Sequence, residues 1–164
     1  MKISFIQTGG TIDKGYPQKS GAYAFEIAGP AFERLLVKFN PIFEYDVFEF
    51  LKKDSQEITS EDRLALKDFI ISQTVSKIVI THGTDTMIET AKYLQEIPGK
   101  TILFTGAKLP ERFIDSDAAF NLGTAIGAVQ TLSNGVYLAM EGLVIPAKSA
   151  IRNERTGDFG MDLS

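Results

Sequence analysis

Short β-prone runs alternate with segments of helical periodicity along most of the chain, and this alternation constrains the fold more than any other feature. Strands are predicted at 2–7, 42–50, 77–81, 101–105 and 135–140. Helices are predicted at 30–39, 60–71, 86–95 and 117–131. Strands separated by helices of this length form βαβ units. We therefore predict one α/β domain over residues 1–164, with a doubly wound, mostly parallel sheet and flanking helices.

Charge and composition exclude several classes of function. The net charge of −4 argues against nucleic acid or an anionic membrane as the main partner. Without cysteine, thiol catalysis and cysteine-based metal sites are excluded, and the single histidine, His82, rules out a histidine-rich metal cluster. We expect no metal and no organic cofactor. No segment approaches 18 apolar residues, and the N-terminal apolar stretch is too short for a signal peptide. A cytoplasmic location is expected.

Small and polar residues directly follow three predicted strands, at Thr8, His82 and Gly106. Since parallel sheets bind ligands beyond the carboxyl ends of their strands, these segments should converge on one edge. In the first, two glycines allow a sharp turn and close approach of a ligand, and their backbone N–H groups could hold an oxyanion. The hydroxyl of Thr11 could be a nucleophile. Taken alone, the segment is equally a plain turn at the end of a strand.

The segment from His82 to Thr86 ends a buried strand and opens a helix. A carboxylate at that position, Asp85, would be kept ionised by the helix N-terminus and could bind an ammonium group. The alternative is a helix cap without a catalytic role. We expect His82 to be a packed, hydrogen-bonded residue rather than a base. Asp54, Ser55 and Gln56 either orient a polar ligand or form a turn.

Four motifs in order resemble the bacterial-type asparaginase family. They are TGGTI at 8–12, SQ at 55–56, HGTDT at 82–86, and GAKLP at 106–110 with its following SD and FNL. The resemblance covers residues 1–159 and corresponds to the N-terminal domain of that family. It implies the asparaginase N-terminal fold, and we expect no C-terminal domain within these 164 residues.

The resemblance also implies a role for each matched residue. Thr11 corresponds to the first catalytic threonine and Thr84 to the second. Asp85, Ser55 and Gln56 correspond to residues that hold the α-groups of the substrate. The lid tyrosine corresponds to Tyr23, with Tyr16 as a second candidate. The backbone N–H groups of Gly10 and Thr84 are the expected oxyanion donors.

The chain departs from the family pattern at the catalytic lysine, because an ungapped match places Arg152 there and Lys148 four residues earlier. Arginine keeps its proton and cannot act as a base. Either Lys148 assists Thr84, which is the expectation adopted for the catalytic set, or Arg152 supplies only positive charge at the substrate-binding site.

The resemblance implies hydrolysis of a side-chain amide, such as that of asparagine, to the acid and ammonia. The alternatives are a binding module for small acids related to asparagine or aspartate, and an amidase for another amide. The chain carries 12 phenylalanines, of which Phe25, Phe43, Phe48 and Phe50 could face outward; the alternative is that most of them belong to the core. Burying them by self-association predicts a homodimer or higher homo-oligomer, with the Thr11 site near a subunit contact.

Overall fold

The computed structural model describes residues 1–17 and 24–162. The strands are β1 (Lys2–Gly9), β2 (Lys14–Gly15), β3 (Glu26–Ile27), β4 (Glu44–Lys53), β5 (Lys77–Thr81), β6 (Thr101–Thr105), β7 (Gly135–Met140), β8 (Leu143–Pro146), β9 (Ala150–Arg152) and β10 (Phe159–Met161). The α-helices are α1 (Ala31–Phe39), α2 (Ser60–Ser72), α3 (Met87–Tyr93) and α4 (Ala118–Thr131). Short 3₁₀ turns occupy Thr11–Asp13, Ser55–Glu57 and Ala147–Ser149.

A six-stranded sheet in the order β4-β1-β5-β6-β7-β8 forms the centre of the fold. The first five strands are parallel, and β8 pairs antiparallel with β7. The chain order reverses beside β1, which is where a doubly wound sheet places its ligand crevice. The predicted fold class is confirmed.

The core consists of two apolar layers, one on each face of the sheet. Alternate residues of β5 show the division, because Ile78 and Ile80 contact the layer that contains α2 and α3, whereas Val79 contacts the layer that contains α1 and α4. All three are fully buried. Full burial of each such side chain stabilises the fold by roughly 1.5–3 kcal/mol.

The structure extends the predicted fold after β7, which the sequence pattern gave as the last clear strand. The turn at Glu141 and Gly142 has positive φ at both residues, 56° and 80°, and returns the chain into β8. The hairpin of β9 and β10 is then fixed to this turn, since Glu141 Oε2 accepts a hydrogen bond from the backbone N–H of Phe159 at 3.1 Å. Strands of three or four residues are too short for periodicity to reveal them.

The phenylalanines expected at the surface are mostly packed. Phe48 and Phe50 contact the ring of Phe69, with centroids 5.2 and 5.0 Å apart, and Phe43 stacks on Phe5 at 6.4 Å. Phe48 and Phe50 are partly buried against the layer of α2, as the alternative that most of these residues belong to the core predicts. Phe43 is partly buried and lines an apolar groove beside α1. Phe25 is 44% exposed.

Two kinds of feature are absent from the described ranges. Among residues 1–17 and 24–162, no helix is both long and apolar enough to cross a membrane. In the same ranges, no three histidine, aspartate or glutamate side chains form a group that could hold a metal ion.

Candidate active site

Two glycine turns meet at the carboxyl edge of the sheet. Gly9 and Gly10, at the end of β1, have φ of 110° and 91°, a region that strongly favours glycine. A Cβ atom on Gly10 would overlap the backbone N and Cα of Gly83, which follows β5. The backbones of the two turns are therefore in direct contact, and the residues that follow them, Thr11 and Thr84, lie close together.

The turn after β4 covers Gly83 from a second side. A Cβ atom on Gly83 would lie 2.7 Å from the Cβ of Ser55, which is 1% exposed. The hydroxyl of Thr86 donates to the carbonyl oxygen of Ser55 at 2.7 Å and fixes this contact. The next residue, Gln56, is exposed, and its side-chain amide donates to Asp85 Oδ2 at 2.8 Å. Ser55 thus packs beneath the turn, whereas Gln56 and Asp85 form its exposed rim.

Arg152 reaches this rim from the hairpin of β9 and β10. Its Nη1 donates to Asp85 Oδ1 at 2.7 Å, and its Nη2 makes a long contact of 3.5 Å with Thr84 Oγ1. Its Nε donates to the carbonyl oxygen of Gly157 at 3.0 Å, which orients the guanidinium. The hydrogen bond from Arg152, followed by that from Gln56, holds the pKa of Asp85 below its usual value. Asp85 is therefore ionised at neutral pH.

A second ion pair lies beside the first. Lys14 Nζ donates to Asp54 Oδ2 at 3.0 Å, and this hydrogen bond is the main reason that the pKa of Asp54 is lowered. The negative charge of Asp85 acts on Asp54 in the opposite direction, so the two carboxylates are close enough to interact. Asp54 and Asp85 are thus each paired with a cation of their own, Lys14 and Arg152 respectively.

Thr11 itself is half-buried, and within residues 1–17 and 24–162 neither its hydroxyl nor its backbone N–H has a hydrogen-bond partner. The backbone N–H of Thr84 is likewise unpartnered in those ranges. The N–H of Gly10, expected to bind an oxyanion, instead donates to the carbonyl oxygen of Lys53 at 3.0 Å. That expectation is wrong because the N–H is used in pairing between β1 and β4. Two donors remain available, at Thr11 and Thr84.

Asp13 lies beneath the Thr11 turn with no exposed surface. Its Oδ1 accepts a hydrogen bond from the backbone N–H of Ala31 at 2.7 Å, and its Oδ2 lies 3.5 Å from the hydroxyl of Thr81. Burial raises the pKa of Asp13 to about 6, although its hydrogen bonds act against this shift. The residue joins the turn to the start of α1 and to β5.

The structure does not bring Lys148 to Thr84. Lys148 lines a shallow depression with Gly135, where β7 begins, whereas Thr84 follows the end of the parallel strand β5. The two residues therefore lie at opposite edges of the sheet. The assignment of Lys148 to the catalytic set is corrected accordingly: the antiparallel return of β8 carries this part of the chain away from the site, and β9 brings Arg152 back.

Two tyrosines are candidates for the lid. Tyr23 lies outside the described residues. The second candidate, Tyr16, is 79% exposed, and its ring packs against Phe25 with the centroids 5.3 Å apart.

Sequence reasoning missed three residues that shape the site. Asp13 and Lys14 directly follow the TGGTI motif. Asp13 could have been recognised as a candidate because it is an acidic residue next to an apolar stretch. Thr90, which binds His82, carried no signal, because a threonine inside a helix has many ordinary roles.

Comparison with known proteins identifies the family of the chain. The family model for the asparaginase N-terminal domain matches residues 2–158, and the chain belongs to that family. It is 25% identical to a glutaminase-asparaginase of Acinetobacter glutaminasificans over 92% of the chain and 49% of the relative. It is 34% identical to one subunit of the glutamyl-tRNA(Gln) amidotransferase of Methanococcus maripaludis, over 85% of the chain and 35% of the relative.

Solved structures show the same relationship. The thermostable L-asparaginase of Thermococcus kodakarensis superposes with a TM-score of 0.84 at 26% identity, over 98% of this chain and 51% of that one. The chain thus spans about half the length of this structure and of the Acinetobacter relative, and less of the amidotransferase subunit. Its fold and family are those of the asparaginase N-terminal domain.

Proposed function

We propose that the chain is an amidohydrolase that converts the side-chain amide of a small molecule such as asparagine into the acid and ammonia, with Thr11 as nucleophile. The observation that carries the proposal is the contact between Gly10 and Gly83. It brings an unpartnered threonine hydroxyl beside Thr84, Asp85 and two free backbone N–H groups at one edge of the sheet, among the residues that the structure describes.

In the proposed reaction, Thr11 Oγ1 attacks the amide carbon while its proton passes through Thr84 or Tyr23 to the departing nitrogen. The C–N bond breaks and ammonia leaves an ester on Thr11. Water then hydrolyses that ester to the acid and restores the hydroxyl. The N–H groups of Thr11 and Thr84 stabilise the negative oxygen of each tetrahedral intermediate, an effect worth about 10²–10³-fold in rate for each donor.

The charged rim has a separate role in the proposal. Asp85 and Gln56 orient the polar groups of the substrate next to its amide. Arg152 stays protonated and acts through its charge, since a guanidinium cannot take the proton from Thr84. With Lys148 at the other edge and Lys14 paired with Asp54, the proposed proton route runs through hydroxyl groups.

The test is release of ammonia from a panel of amides by wild type, Thr11→Ala and the control variant Thr124→Ala, which removes the hydroxyl of a threonine on α4, away from the site. Thr11→Ala should fold normally and lose nearly all turnover, and Thr124→Ala should retain it. Turnover by Thr11→Ala above about a tenth of wild type would show that Thr11 is not the nucleophile.

A second candidate is a binding module for small acids related to asparagine. The ion pair of Asp85 with Arg152 favours this candidate, because a carboxylate whose charge is balanced by an arginine also suits a site that binds its ligand without turnover. Calorimetry combined with the ammonia assay separates the two functions. Heat of binding without ammonia from any amide of the panel would favour the module.

A further inference from the structure

His82 lies at the centre of the site, buried and between its turns. It is fully buried and directly precedes Gly83, the residue that contacts both Gly10 and Ser55. The imidazole has a partner on each nitrogen: Nδ1 is 2.7 Å from the carbonyl oxygen of Gly83, and Nε2 is 2.9 Å from Thr90 Oγ1.

The partners determine which nitrogen carries the proton. A carbonyl oxygen only accepts, so Nδ1 must carry a proton that it donates to Gly83. Thr90 Oγ1 already accepts a hydrogen bond from Nε of Arg63 at 3.1 Å, and its own proton is therefore available for Nε2. The hydrogen bonds run in one direction, from Arg63 through Thr90 to His82 and on to the carbonyl of Gly83.

This series of hydrogen bonds is buried, and the charges around it favour a neutral imidazole. Thr90 has no exposed surface, and Arg63 is 6% exposed and paired with Glu89 at 3.2 Å. Burial, together with the charge of Arg63, lowers the pKa of His82 to about 4. The ring is neutral at physiological pH, so its one proton stays on Nδ1.

The peptide held by this hydrogen bond is the one that joins Gly83 to Thr84. In a trans peptide the N–H points opposite to the carbonyl, so fixing the oxygen of Gly83 also fixes the direction of the Thr84 N–H. That N–H points away from the buried imidazole and has no partner in the described part of the chain. It is one of the two donors assigned above to the oxyanion.

We propose that His82 is a positioning residue: the imidazole, held in its Nδ1–H tautomer by Thr90 and Arg63, orients the Gly83–Thr84 peptide so that the Thr84 N–H is aimed at the substrate amide oxygen. The proposal rests on the proposed function. His82 moves no proton in the reaction and acts through the peptide plane, and displacement of such a donor by about 1 Å can cost about 10²-fold in rate.

The test compares two amide side chains at position 82. In His82→Asn, the side-chain NH₂ takes the place of Nδ1 and can still donate to Gly83. In His82→Gln, it takes the place of Nε2 and cannot. We expect His82→Gln to lower kcat about 10–100-fold with KM within about threefold, and His82→Asn to restore most of kcat. Equal losses in both variants, or a loss confined to KM, would overturn the proposal.

Nuclear magnetic resonance supplies a reading that needs no turnover. The nitrogen shifts of His82 in wild type should report the Nδ1–H tautomer, and the amide resonance of Thr84 should move in His82→Gln more than in His82→Asn. An Nε2–H tautomer, or equal Thr84 shifts in both variants, contradicts the positioning role. Absence of ammonia release by wild type would instead refute the proposed function, and the positioning role would then be decided by these resonances alone.

If either variant at position 82 fails to fold, the pair Thr90→Ser and Thr90→Val replaces it. Serine keeps the hydroxyl between Arg63 and His82, whereas valine removes it at similar volume. Thr90→Val should release the tautomer and lower kcat, and Thr90→Ser should preserve both. Retention of the Nδ1–H tautomer and of kcat in Thr90→Val would show that the hydroxyl does not position the ring.

Discussion

Arg152 Nη1 and Asp85 Oδ1 lie 2.7 Å apart, although 67 positions separate the two residues along the chain. The pair joins the turn after β5 to the hairpin of β9 and β10. Because the same guanidinium also contacts the hydroxyl of Thr84, one cation acts on both the carboxylate and the hydroxyl of the HGTDT segment. Substitutions at either end of this pair should therefore affect substrate binding and turnover together.

Asp85→Asn should weaken the binding of amides that carry an α-ammonium group. The charge-assisted contact that is lost corresponds to about a tenfold rise in KM, and kcat should also fall because Arg152 loses its partner. Steady-state kinetics with asparagine measure both effects. Succinamic acid, which lacks the ammonium, is the matched substrate and should show only the fall in kcat. Unchanged constants for asparagine would make Asp85 a structural cap.

Arg152→Met should lower kcat about 10–100-fold, whereas Lys148→Met should leave it within about threefold. The sequence alone favoured the opposite order, because only lysine loses its proton near neutral pH. The positions reverse that expectation, since Arg152 contacts Asp85 and Lys148 lies beside Gly135 at the other edge.

The matched variant for this comparison is Arg152→Lys, which keeps the charge but not the two-pronged geometry. It should fall between wild type and Arg152→Met. A kcat of Lys148→Met lower than that of Arg152→Met would return Lys148 to the catalytic set.

Asp13 should make the fold less stable as the pH rises from about 4 to about 6. Its pKa is raised from 3.8 to about 6 in the folded state, so the folded protein binds more protons than the unfolded chain in that window. About 2–4 kcal/mol of stability is lost across it. Urea unfolding at several pH values gives the free energy of unfolding of wild type and of Asp13→Asn. The wild-type value minus the variant value should decrease as the pH rises.

His82 acts in the opposite direction over an overlapping window, because its pKa is lowered to about 4 from 6.5. His82 is present in both wild type and Asp13→Asn, so its contribution cancels when the two free energies of unfolding are subtracted. Asp158→Asn is the control, since the pKa of Asp158 is lowered mainly by its hydrogen bond from Lys108 and its effect belongs below about pH 4. A flat difference for Asp13→Asn between pH 4 and 6 would contradict the raised pKa.

Self-association should depend on an apolar groove between α1 and α4. The groove is lined by Leu35, Phe39 and Leu122, and Phe39 is 62% exposed. Burial of this groove by a second copy predicts a homodimer or higher homo-oligomer in light scattering at physiological salt. Phe39→Glu should shift the mass towards a single chain. A single-chain mass for wild type with full activity would show that one domain suffices.

The elements that carry long periodic patterns were predictable, and those fixed by distant contacts were not. β5 and β6 occupy the predicted residues, because runs of consecutive buried positions leave a clear apolar pattern. The turns at Gly10 and Gly83 were also visible, since each follows such a run. The placements of Lys148 and Arg152 were not, because they depend on the reversal at Glu141 and Gly142, where left-handed backbone redirects the chain.

The oxyanion donors illustrate the same division. The sequence indicated that glycine N–H groups at the strand end could be free, but it could not show that Gly10 pairs with Lys53 on the neighbouring strand. Partners of that kind belong to strand register, which periodicity does not determine. His82 was correctly expected to be packed and hydrogen-bonded, and the identity of its partner, Thr90, required the position of α3.

The site contains Arg152 only while the small hairpin of β9 and β10 stays packed against the sheet. It has only three residues in each strand and is fixed to the sheet edge by the contact of Glu141 with Phe159 and by the pair of Lys108 with Asp158, at 2.8 Å. Only Ala150 and Phe159 of its strands are buried in the core, so the hairpin should open at a lower free energy than the six-stranded sheet. Each opening withdraws Arg152 while Thr11 and Thr84 stay in place. In hydrogen exchange, the amides of Arg152 and Phe159 should therefore exchange well before those of β5.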